Sequence, residues 1–71
     1  MKTWEMVFSE VEKQLSDNSL EYTHDGNGYF QLSSCIVEVV GSLFKPEYWV
    51  NETRCHNHEL VQLVMKCENQ Q

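Results

Sequence analysis

The sequence predicts an α+β fold, with an N-terminal and a C-terminal helix packed on one face of a three- to four-stranded antiparallel sheet. Apolar residues recur at helical spacing near both ends, and between them lie alternating and β-branched runs broken by Asp/Asn/Gly turns. The 71 residues include no alanine, so the core is filled by Val, Leu and aromatics, which suits a sheet better than closely packed helices. A chain of this length makes one domain, over 1–71, and buries only roughly 60% of its unfolded surface.

The first helix is predicted over residues 3–16. On a helical wheel Trp4, Val7, Phe8, Val11 and Leu15 fall in an arc of about 100°, the width of a helix lying on a core. Thr3 is placed to cap it, and Glu5 complements the positive end of the helix dipole. Ser16-Asp17-Asn18-Ser19 ends it, because short polar side chains compete for backbone hydrogen bonds. A hairpin over 20–32 follows: Leu20 to His24 alternates, Asp25-Gly26-Asn27-Gly28 tolerates positive φ, and Tyr29 to Leu32 returns.

A strand over 35–40 comes next, with four β-branched residues in Cys35-Ile36-Val37-Glu38-Val39-Val40. Ile36, Val39, Val40 and Leu43 also fit a helical stripe from Ser34, so residues 34–44 have a helical rival. Gly41-Ser42 and Pro46 close this segment, and residues 47–50 give a short edge strand. The last helix, over 57–67 with Asn57 as cap, carries apolar residues around about 200°. That is twice the usual arc and implies cover on two sides. Val61 and Met65, one turn apart on the second side, are the predicted self-association patch of a weak homodimer. The rival is Tyr48-Trp49 folding back over them within one chain.

Charge and motif content narrow the function. Eleven Asp and Glu against five Lys and Arg give a net charge of −6. Direct nucleic-acid binding needs a basic face, and the five cations are scattered. No apolar run approaches the roughly 18 residues of a membrane span. With no export signal and an odd three cysteines, the expected compartment is the cytoplasm, with reduced thiols. No catalytic motif surrounds any Cys, Ser or His, and the chain is small for a substrate pocket, so no enzyme activity is expected.

What remains is surface. Six of the eleven carboxylates lie in the first 25 residues, and such a field steers onto a basic partner. Glu5, Glu12, Glu21 and Asp25 are the expected partner-binding carboxylates, with Tyr48 and Trp49 as a surface-presented aromatic pair. The expected function is a small acidic regulator or inhibitor acting by protein–protein binding, of the phage- or plasmid-accessory type, on a nucleic-acid-binding protein. The alternative is a structural zinc module. Cys55 and His58 have the gap of a metal knuckle, and Cys67 supplies a third ligand. If residues 52–67 were all helical, Cys55, His58 and Glu59 would share a face.

Overall fold

The computed structural model describes residues 2–69; positions 1, 70 and 71 of the expected domain lie outside the described residues. Helix α1, Trp4–Asp17, starts where Thr3 Oγ1 accepts a hydrogen bond from the Met6 amide at 3.3 Å. It ends in a tight reversal. Ser19 adopts a left-handed φ of 59°, and the Leu20 N–H reaches back to the Leu15 carbonyl at 2.9 Å. That bond satisfies one of the carbonyls left orphaned by the last turn.

Five antiparallel strands follow in simple meander order: β1 Thr23–His24, β2 Tyr29–Gln31, β3 Ile36–Gly41, β4 Pro46–Val50 and β5 Thr53–Cys55. A 3-10 turn at Asn57–Glu59 leads into helix α2, Leu60–Glu68. The sheet thus has one strand more than the three or four expected, and β5 pairs along β4, which makes β4 an interior strand and not the expected edge. Residues 36–41 are extended, which decides against their helical rival. The added strand β5 is reached through Asn51 at φ 55°. Asn tolerates that conformation, and its side chain also accepts from the Ile36 amide at 3.0 Å. With 53–55 extended, the continuous helix over 52–67 does not form.

The register sets two unlike faces. Phe30 opposes Val37, Val37 opposes Val50, and Val39 opposes Tyr48. All five are buried with Val7, Val11 and Leu15 of α1 and Leu60 and Val64 of α2 in one core. Both helices therefore cover the same face, and the opposite face is open. Gln14 Nε2 donates to Asn57 Oδ1 at 2.6 Å, tying α1 to the turn before α2. Asn57 is thus a cross-link and not the expected cap; the His56 amide instead donates to Glu59 at 3.1 Å. No helix among the described residues is long and apolar enough to cross a membrane.

Candidate partner-binding surface

The open face is built by strand alternation. Residues i and i+2 share a side, so every core residue of the sheet has outward neighbours. In register across four strands, these form the row Tyr29, Glu38, Trp49 and Arg54. Beside it lie Ile36 opposite Gln31, and Val40 opposite Glu47. Tyr29 and Val40 are exposed, while Ile36, Glu38 and Trp49 are half-buried. Arg54 Nε stands 3.8 Å from a Glu47 carboxylate oxygen, a surface pair of small energetic weight. The row puts a carboxylate between two aromatic rings.

The expected site residues are not gathered in one place. Trp49 lies on the open face, but Tyr48 is 6% exposed and points into the core beneath the helices. The surface-presented Tyr48-Trp49 pair is therefore corrected: consecutive strand residues face opposite ways. Tyr48 is part of the packing, with its hydroxyl shifted above its usual range by burial and then by Glu10.

The four carboxylates divide. Glu5 and Glu21 are exposed and make no side-chain ion pair among the described residues. Glu12 stands 3.3 Å from His24 Nδ1. Asp25 Oδ1 accepts from the Asn27 and Tyr29 amides at 2.7 and 3.2 Å, and the Asn27 bond is the main reason its carboxyl lies below the usual range. Asp25 therefore builds the hairpin turn.

His24 itself was not among the expected site residues. Its ring stacks on Phe30 at 4.0 Å, and its Nε2 accepts from the Gly28 amide at 3.1 Å. That acceptor role puts the ring proton on Nδ1, facing Glu12. His24 thus joins α1 to the hairpin, a structural role that no local motif signals.

The zinc ligand set is not assembled. Cys55 ends β5, His58 lies in the 3-10 turn, and Cys67 lies in the last turn of α2. His58 and Cys67 are nine residues apart along nearly continuous helix, roughly 13 Å by helical rise. The Cys67 thiol instead donates to the Ser34 carbonyl at 3.5 Å and accepts from Asn51 Nδ2 at 3.2 Å. Among the described residues no three metal-ligating side chains converge. On α2, Val61 is half-buried and Met65 is 39% exposed, so the second side of that helix is only partly covered.

Cys35 carries a pH prediction. Its thiol is pushed up to about 12 from 9.0, first by burial and then by the neighbouring Cys67 and Glu68. The unfolded thiol ionises above pH 9 while the folded one keeps its proton. Stability is thus fully present below pH 9 and falls as pH rises towards 12. Burial raises Tyr48 and Cys55 too, so they act in the same direction. Thermal melts are expected to be flat from pH 7 to 8.5 and to drop above 9, with a shallower drop in Cys35→Val. An equal slope in both proteins would remove the assignment to Cys35.

Comparison with family models, curated proteins and solved structures returns no match for this chain.

Proposed function

We propose that this chain is a non-enzymatic regulator, working in a reducing cytoplasm, that binds and inhibits a basic protein of the nucleic-acid-binding kind. The observation that carries this reading is the row Tyr29–Glu38–Trp49 on a sheet face that no helix covers. Aromatic faces attract Lys and Arg through their quadrupole, and a carboxylate between them adds direct charge. The Tyr29–Glu38–Trp49 part of the row suits a basic side chain, and Arg54 at its far end stands beside the Glu47 carboxylate. The surrounding −6 charge steers a cationic partner toward it. The exposed carboxylates Glu5 and Glu21 add to the same field.

The test uses the immobilised chain and the heparin-binding proteins of its host extract. A basic protein is expected to be retained, to elute with about 0.5 M salt as surface charge is screened, and to be displaced by duplex DNA. Glu38→Lys and Trp49→Ala, each checked for unchanged melting, are expected to weaken retention about tenfold or more. Retention that ignores both substitutions, or that fails altogether, would overturn the reading.

A further inference from the structure

The tip of the β3–β4 hairpin holds the most conspicuous apolar exposure among the described residues. Phe44 is 100% exposed. It is not on a loose loop. The Ser42 and Lys45 backbones exchange hydrogen bonds at 3.4 and 3.1 Å, and Ser42 Oγ also accepts from the Lys45 amide at 3.2 Å. Gly41, at φ 90°, lets the Lys45 carbonyl approach to 2.8 Å from where a Cβ would stand. The turn is closed on itself, so the benzyl group is presented on a fixed base. A group held this way loses little freedom on binding.

An open cleft of about 350 Å³ lies at the same end of the sheet. Its lining combines Trp4 and Phe8 of α1, with rings stacked at 5.7 Å, Gly26 and Asn27 of the hairpin turn, and the end of β3 at Val39 and Val40, of which Val39 faces α1. Glu5 stands among its lining residues. Val40 is only four residues from Phe44 along the hairpin, so knob and cleft are close neighbours that do not fill each other.

We propose that two copies of this chain associate through this end, Phe44 of each entering the other's cleft between Trp4, Phe8 and Val39 and Lys45 meeting the other's Glu5. Charge argues for a second copy as the occupant. Lys45 is one of only five cations in the chain, and it directly follows the knob. Glu5 lines the cleft and has no ion pair among the described residues. Inserting the knob therefore brings a cation to a carboxylate between two molecules that otherwise repel. Because knob and cleft adjoin, a twofold axis between them satisfies both contacts at once and closes the assembly at two. The contact is small by the standard of stable complexes, so the dimer is weak and concentration-dependent.

Sedimentation velocity on the whole chain, from about 10 µM to about 1 mM, tests this, a range set for an interface below standard size. The mass is expected to double across it. Phe44→Ser, which removes no core contact and should melt as the parent does, is expected to stay monomeric. Lys45→Glu and Glu5→Lys are each expected to weaken association about tenfold, and the two together in one chain to restore it. A parent that is monomeric throughout would overturn the proposal. So would a dimer that survives Phe44→Ser, a double swap that fails to rescue, or a dimer lost in Met65→Lys, which would place the contact on α2.

Discussion

Replacing Phe30 with alanine is expected to lower stability by about 3–5 kcal/mol, enough to leave much of the chain unfolded at room temperature. Phe30 is fully buried at the point where α1, the hairpin and the central strands meet. Its ring lies 4.0 Å from His24, 5.9 Å from Tyr22 and 6.3 Å from Phe8, with Val37 as cross-strand partner. Removing it opens a cavity that none of these can fill without leaving another contact. A 71-residue domain has only about 4–11 kcal/mol in total, so the loss is a large share. In urea melts the midpoint should fall by roughly 2–4 M, while Phe44→Ala, at the exposed tip, should leave it unchanged. Equal midpoints for Phe30→Ala and the parent would show that the hairpin does not pack as described.

Gly28→Ala is the second large effect. Gly28 sits at φ 92°, and a Cβ there would stand 2.7 Å from the Val39 carbonyl oxygen and 3.0 Å from the Phe8 ring. The carbonyl belongs to a sheet strand and cannot swing aside, and the same residue's N–H bonds the Gly28 carbonyl at 2.8 Å. Left-handed strain and steric overlap together are expected to cost about 2–5 kcal/mol. Gly26 provides the control: it has nearly the same φ, 90°, but nothing within 4 Å. Gly26→Ala should therefore show only the conformational part, about 1–2 kcal/mol. Paired thermal melts separate the two. Similar losses for both glycines would mean that the close approach of Gly28 to β3 is not tight. Gly28→Ala should also disturb His24, whose Nε2 depends on the Gly28 amide, and the imidazole ¹⁵N shifts report that directly.

Much of the fold was legible because it is written in local periodicity. The stripe of Val7, Val11 and Leu15 is fully buried as its spacing demands, Thr3 caps α1, and Asp25-Gly26-Asn27-Gly28 makes the hairpin turn. Strand β5 escaped because Thr-Arg-Cys is too short to show alternation, and the turn before it depends on one Asn in a left-handed conformation. The candidate surface was harder to read than the fold. Trp49 was visible as an aromatic, but its partners Tyr29 and Glu38 come from two other strands and are joined to it only by register. Register depends on turn geometry across two hairpins, which no single segment encodes. Tyr48 shows the opposite difficulty: neighbours in sequence along a strand face opposite ways, so Tyr48 and Trp49 cannot share the surface.

The two boundary strands of the sheet, β1 and β5, are two and three residues long. A protein that leaves aromatic and branched side chains on an uncovered sheet face runs a particular risk. A neighbour drawn to that face can also pair with a free strand edge, and pairing of that kind repeats without limit. Here each border offers only a few unpaired backbone groups, too few to template another strand. The contacts proposed above, through the face or the hairpin tip, would then lack a long strand edge along which to extend. Short border strands are one way a sheet protein keeps an uncovered face without inviting edge-to-edge growth.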